Sequence, residues 1–252
     1  KGVSMSWDKF VIVADTHGDA IYRPAQKAFF EFCDDFKPVK RLHLGDWVDL
    51  RAWRRGASAS DQADSMQKDY DAGLGFLKRY NADVVITGNH DYRLWLTAKE
   101  GRGPMQDYAK RIVEDFKGEM DAIGCQIMPY GIHKGFYELG KVRNGGYYTN
   151  HGYRAGIHAI VGEARHWNRS ISGHIHAVGT YVDAAKEARS AHTVGTLARL
   201  DMDYGIGNEG TARHENAWGY GWENSKTGAV EYRHCRKIGR EWMYSDEIKG
   251  VR

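Results

Sequence analysis

Three short strand-like runs, each closing on a polar motif, constrain this chain more than any other feature. Phe10-Val11-Ile12-Val13-Ala14 ends at Asp15-Thr16-His17, Arg41 to Leu44 ends at Gly45-Asp46-Trp47-Val48-Asp49, and Asp83 to Thr87 ends at Gly88-Asn89-His90-Asp91. Short, continuously apolar runs rich in β-branched residues fit strands buried on both faces. Helical patterns separate them. Pro24 opens one through Ala28, Phe29, Phe32 and Phe36, which Pro38 stops, and Met66, Tyr70, Leu74 and Leu77 mark another. The resulting β-α-β-α-β order predicts an α/β protein whose sheet is flanked by helices. Such sheets place sites at the carboxyl ends of their strands, where these motifs fall.

Tyr92 to Gly124 is mostly helical in pattern, with a break near Gly101-Arg102-Gly103-Pro104, and from Gln126 onward strands and turns take over. Phe136 to Leu139 and Tyr147 to Thr149 flank Arg143-Asn144-Gly145-Gly146, which reads as a hairpin. A helix through Ile160, Ala164 and Trp167 precedes the strand Ser170-Ile171-Ser172. A second hairpin signal, Asn224 to Gly228, lies in the aromatic stretch from Trp218 to Tyr232. With no repeat, linker or composition break, one domain over residues 1–252 is expected.

Two further motifs, Asn150-His151-Gly152 and Gly173-His174-Ile175-His176, bring the total to five. Together they offer carboxylate, amide and imidazole donors enough for two divalent cations. That mixture suits Mn, Fe, Zn or Ni better than calcium, which prefers an all-oxygen shell. His174 and His176 alternate, so on a strand they face one way. His151 competes with the nearby His133 and His158, and is favoured because it follows the strand Tyr147-Tyr148-Thr149. His43, His166, His192, His214 and His234 have no partner at metal-ligand spacing and read as core or surface residues. The glycines before Asp46, Asn89 and His174 suggest sharp turns and close backbone approach. Paired divalent ions of this kind clamp the attacking and leaving oxygens of an in-line displacement, which points to hydrolysis of a phosphate ester.

In this order the five motifs resemble the calcineurin-like metallophosphoesterase superfamily, over the span Asp15 to His176. The resemblance implies a four-layer α/β/β/α sandwich with mixed sheets flanked by helices. It implies that Asp15, His17 and His176 hold one metal, that Asn89, His151 and His174 hold the other, and that Asp46 bridges both. It makes His90 the general acid, oriented by Asp49, in hydrolysis by a metal-activated hydroxide. The protein Ser/Thr phosphatases of this superfamily continue the second motif with Arg-Gly and end the third in Glu. Leu50-Arg51 and Asp91 stand at those places here, which argues against a phosphoprotein substrate. A phosphodiester is preferred over a phosphomonoester, with a DNA or RNA nuclease and a non-catalytic interaction scaffold as alternatives.

The cluster Arg51-Ala52-Trp53-Arg54-Arg55 reads first as a solvated loop. Arg51, Arg54 or Arg55 could still reach a phosphate, or the cluster could contact nucleic acid. A formal net charge of +3 tolerates an anionic substrate but lacks the basic excess of a dedicated nucleic-acid binder. Cys33, Cys125 and Cys235 form no Cys-x-x-Cys pair, so no disulfide framework is expected and a cytoplasmic location is favoured. No apolar run reaches the roughly 20 residues of a membrane span, and Lys1 to Lys9 lacks the pattern of a secretory signal.

Overall fold

The computed structural model describes residues 7–54, 57, 59, 65–156, 158–183, 189–201 and 213–245. Its first strand, β1 (Trp7–Val13), pairs in parallel with β2 (Lys40–His43), β2 with β3 (Val84–Ile86), and β3 with β4 (Gln126–Met128). On the other side of β1 the antiparallel strands β10 (Ala217–Asn224), β11 (Val230–Ile238) and β12 (Glu241–Met243) complete a seven-stranded mixed sheet. The second sheet has five strands in the order β5 (Phe136–Leu139), β6 (Tyr147–Asn150), β7 (Arg169–Ser172), β9 (Ser190–Val194) and β8 (Val178–Val182). Its inner strands β6, β7 and β9 run parallel and its edges antiparallel.

Alternation along the strands explains how the layers stack. Phe10, Ile12, Leu42, Leu44, Val84 and Ile86 of the large sheet meet Leu139, Tyr147, Ile171 and Val194 of the small one in a single buried cluster. The opposite face of β1 presents Val11 and Val13 to a second cluster built on helices. These helices are α1 (Arg23–Phe36), α2 (Met66–Tyr80), α3 (Asn89–Glu100) and α4 (Gly103–Ala122). Phe29 of α1 packs edge-on to Trp218, and Trp47 stacks on Phe116 of α4 with centroids 4.4 Å apart. The hydroxyl of Tyr80 donates toward the carbonyls of Val11 and Leu42, tying α2 to two strands. Helix α5 (Ala159–Trp167) lies against the small sheet. The protein therefore has the layer order α/β/β/α expected from the resemblance.

The Pro38 stop, the Gly101–Pro104 break and both hairpins fall where the sequence places them, with β5 and β6 joined through a 3₁₀ turn at Val142–Asn144. Strands β9 and β12 carry no comparable signal. Ser190-Ala191-His192-Thr193-Val194 has few β-branched residues and is buried by its neighbours rather than by its own hydrophobicity. Cys33, Cys125 and Cys235 are buried free thiols, and no helix among the described residues is long and apolar enough to cross a membrane.

Candidate metal centre

Each of the five motifs sits just past the carboxyl end of a strand: β1, β2 and β3 in the large sheet, β6 and β7 in the small one. Because the two sheets pack face to face, both sets of strand ends open on one site. The backbone there is under strain. Among the described residues nine non-glycine positions have positive φ, and five of these are Asp15, His17, Asp46, His174 and His176. Left-handed conformations in non-glycine residues cost about 1–3 kcal/mol each and persist where surrounding structure over-determines them. Gly45 has φ 100°, a true turn requirement. Gly88 serves differently: a Cβ there would come within 2.2 Å of Asp46 Oδ1, so its role is close approach alone.

Asp15, His17 and His176 form the first donor group, all buried. His17 Nε2 lies 3.0 Å from His176 Nε2, and Asp15 Oδ1 lies 3.4 Å from His176 Nε2 and 3.9 Å from His17 Nε2. Asp15 Oδ2 accepts from the His174 backbone N–H at 2.8 Å, but the buried Oδ1 has no hydrogen-bond partner. An orphaned carboxylate oxygen aimed at two converging imidazole nitrogens is the arrangement a cation completes. Burial works against its charge, yet His176 holds the Asp15 carboxyl below the usual carboxylate range.

Asp46, His151 and His174 form the second group, with Asn89 beside them. His151 Nδ1 lies 2.8 Å from the Leu44 carbonyl and donates to it. Its Nε2 then faces Asn89 Oδ1 at 2.9 Å and Asp46 Oδ2 at 3.3 Å, both acceptors. A neutral imidazole would set a lone pair against two others, so the site calls for a positive charge, as a proton or a metal. In the metal-free protein a proton fills that need: burial opposes it, but Asp46 pushes His151 up to about 9. His174, buried and beside His151, is pushed down to about 4. Both groups fit divalent cations by donor chemistry and by these unmet valences. His133 and His158, the sequence competitors of His151, are exposed.

Asp49 joins the two halves of the site. Its Oδ1 lies 2.9 Å from His90 Nδ1 and 3.3 Å from His17 Nδ1, so one carboxylate receives both ring N–H groups and turns both Nε2 atoms away from itself. His90 Nε2 then looks toward Asp46 Oδ2 at 4.0 Å. Burial lowers His90, but Asp46 and Asp49 outweigh it and hold the imidazole above its ordinary value.

The arginine cluster separates. Arg51 is largely buried and engaged: Nη2 donates to Asp19 Oδ1 at 2.6 Å and Nη1 to Asp49 Oδ2 at 3.4 Å. Arg54 lies near enough to Arg93 to disfavour that residue's charge. Arg55, and most of the stretch from Arg51 to Ser65 beyond Arg54, lies outside the described residues.

Four residues make contacts here that sequence reasoning did not anticipate. Arg93, one turn after His90 on α3, donates through Nη1 to the Asp49 carbonyl at 3.2 Å, beside the His90 ring that uses the same oxygen at 2.8 Å. Its signal was the i+3 spacing from His90. Asp91 accepts from the backbone N–H of Asp46 (2.8 Å), Val48 (3.3 Å) and Gly88 (2.7 Å), clamping the second motif to the third. His43, fully buried, accepts from Gly45 N–H at 3.2 Å and donates to Thr16 Oγ1 at 3.1 Å, which fixes one tautomer. His214, read as core or surface, sets its ring 4.8 Å from that of His176.

No protein-family model matches the chain, and no curated protein sequence matches it. Solved structures do. An archaeal phosphodiesterase is 15 % identical over 91 % of this chain and 99 % of its own, with a TM-score of 0.44. Vacuolar protein sorting 29 from Cryptosporidium parvum is 11 % identical over 94 % of this chain and 95 % of its own, with a TM-score of 0.49. A dimetal phosphatase from Danio rerio is 12 % identical over 90 % of this chain and 98 % of its own, with a TM-score of 0.40. In layer order and in the succession of its five motifs, the chain is similar to the calcineurin-like metallophosphoesterases.

Proposed function

We propose that the protein is a dinuclear metal-dependent phosphoesterase, with a phosphodiester preferred over a monoester. The observation that carries this reading is the convergence of Asp15, His17 and His176 beside Asp46, Asn89, His151 and His174, with Asp15 Oδ1 and His151 Nε2 both short of a cation. In this reading Asp46 would serve both groups; its Oδ2 lies 3.3 Å from His151 Nε2, and its Oδ1 accepts the His90 backbone N–H at 2.7 Å. Two divalent ions there would supply an activated water and neutralise charge on the phosphate.

The chain's own residues then have separable tasks. In hydrolysis a water oxygen bonds to phosphorus while the ester oxygen departs on the opposite side. That oxygen needs a proton, and His90 Nε2 is the donor in our reading. Asp49 holds the His90 ring through Nδ1, and with Asp46 it favours the charged form against burial. Asp49 also fixes the tautomer in which His17 offers Nε2 to the first group. Arg93, anchored beside His90, is the cation best placed to meet a phosphoryl oxygen; we assign it the part that the sequence offered to Arg51, whose guanidinium is committed to Asp19 and Asp49.

The test is hydrolysis of bis-p-nitrophenyl phosphate against p-nitrophenyl phosphate, by protein stripped of metal and reloaded separately with Mn, Zn, Ni, Fe and Mg. Metal-dependent turnover favouring the diester is expected. Preference for the monoester would make it a phosphatase. Two metals bound per chain with no turnover of either ester would replace the catalytic reading with that of an interaction scaffold.

A further inference from the structure

We propose that a row of tyrosines beside the second donor group is a subsite for a planar aromatic base, so that the phosphate ester taken by this centre belongs to a nucleotide. This inference rests on the phosphoesterase reading and narrows its substrate class. Tyr92 and Tyr130 stack with ring centroids 4.9 Å apart and planes 25° from parallel, and Tyr130 tilts against Tyr153 at 5.5 Å. The row is fixed to the metal centre at both ends. Tyr92 follows Asn89 by three residues on α3 and so shares its helix face. Tyr153 follows His151 by two residues, and the loop after β4 delivers Tyr130 between them.

Packing does not account for these rings. Neither buried hydrophobic cluster includes Tyr92, Tyr130 or Tyr153, and Tyr92 remains 37 % exposed. Tyr153 is held from behind, its hydroxyl donating to the Gly135 carbonyl at 3.2 Å and its backbone N–H directed at Glu163 Oε1. Tyr130 senses the centre directly: burial raises its phenol, and the negative charge of Asp46 raises it further. An aromatic shelf thus lies beside the second donor group, with Arg93 on the next position of the same helix as Tyr92. Nucleobases stack on aromatic side chains whatever their sequence, because every base has a π-face, and tyrosine loses little conformational freedom in offering that surface. A shelf of this kind favours the larger purine ring over a pyrimidine.

The experiment is calorimetric titration of the His90→Ala chain, loaded with two metals, with adenosine 5′-phosphate and with ribose 5-phosphate. This variant keeps both donor groups and suppresses turnover. Adenosine 5′-phosphate should bind about tenfold or more tightly, the share that base stacking supplies. Adding Tyr92→Leu and Tyr130→Leu should bring the ratio of the two affinities close to one, while Tyr92→Phe with Tyr130→Phe should preserve it. Equal affinities for both ligands before the tyrosines are changed would overturn the subsite and leave the phosphoesterase reading standing. Failure of a two-metal chain to bind either phosphate would overturn both.

Discussion

Two rims of the site, both built around Asp49, treat charge in opposite ways. On one rim Arg51 donates to Asp19 and Asp49, and the buried Asp69 of α2 accepts backbone N–H groups from Asp19 (3.3 Å), Asp49 (3.1 Å) and Leu50 (2.7 Å). Its charges serve to hold the second motif in shape. On the other rim His90 Nδ1 and Arg93 Nη1 lean on the single Asp49 carbonyl, and Tyr92, which lies between them on α3, stacks on Tyr130. In our reading the first rim is scaffold and the second meets substrate. A cation's usefulness to a ligand depends on what the protein has already asked of it, not on how many arginines the sequence puts together.

The comparison breaks first at His90. His90→Ala should slow hydrolysis of a diester with an alkyl leaving group by about 10²–10⁴-fold, the range for loss of a general acid. It should slow a p-nitrophenyl ester far less, because that leaving group needs no proton. Equal losses on both substrates would remove His90 as the acid. Next comes Arg93→Ala, for which we expect about a 100-fold fall in kcat/KM, the scale for one lost charge-stabilising donor. Arg93→Lys should recover only part, since a lysine lacks the planar fork. Unchanged kcat/KM in Arg93→Ala would return the search for a phosphate cation to Arg54 and Arg55.

Much of this was legible in the sequence, for a definable reason. Strands buried on both faces announce themselves as apolar runs, as before Asp15 and Asn89, and the order of the polar motifs singled out Asp46, His151, His174 and His176 as well; the structure brings these residues to one place. What escaped depends on tertiary neighbours. Asp69 looks like an ordinary polar residue of an amphipathic helix, yet the loop after β2 folds over it and buries it. His43 is one more residue of β2 until Thr16 and Gly45 close around it. Arg51 misled through composition: a run of arginines reads as solvated or ligand-binding, and only the approach of Asp19 reveals that it is paired. Strand β9, assembled from small and polar residues, is a strand because β7 and β8 flank it.

Arg51→Ala tests the scaffold rim. Removing Arg51 takes one donor each from Asp19 and Asp49, which keep Lys68 and the ring N–H groups of His17 and His90, and should cost about 1–3 kcal/mol of stability. Its effect on kcat/KM in folded protein should stay below that of Arg93→Ala. Denaturant unfolding and steady-state kinetics on the same preparation separate the two. A variant of native stability with a deeper kinetic defect than Arg93→Ala would reverse the assignment of the rims.

Asp69 gives the smallest effect and the sharpest control on the same rim. Burial is the main cause that pushes its carboxyl up to about 6, with the nearby negative charges of Asp49 and Asp19 adding to it against the Leu50 N–H. An aspartate in the unfolded chain titrates near about 3.9. Between those values the native state binds more protons than the unfolded state, so stability falls as pH rises from about 4 to about 6 and then levels off. This slope is opposite in sign to that of a salt-bridged aspartate. Asp69→Asn removes the titration but also sets an amide N–H against backbone donors. The variant should therefore be the less stable protein at pH 4, and its deficit should shrink by about 1–2 kcal/mol on going to pH 6.5. Urea unfolding of both proteins across that range reads the difference directly, and groups common to the two cancel. A deficit that stays constant with pH would mean that Asp69 is ionised throughout, and that the scaffold rim carries one more charge than we assign to it.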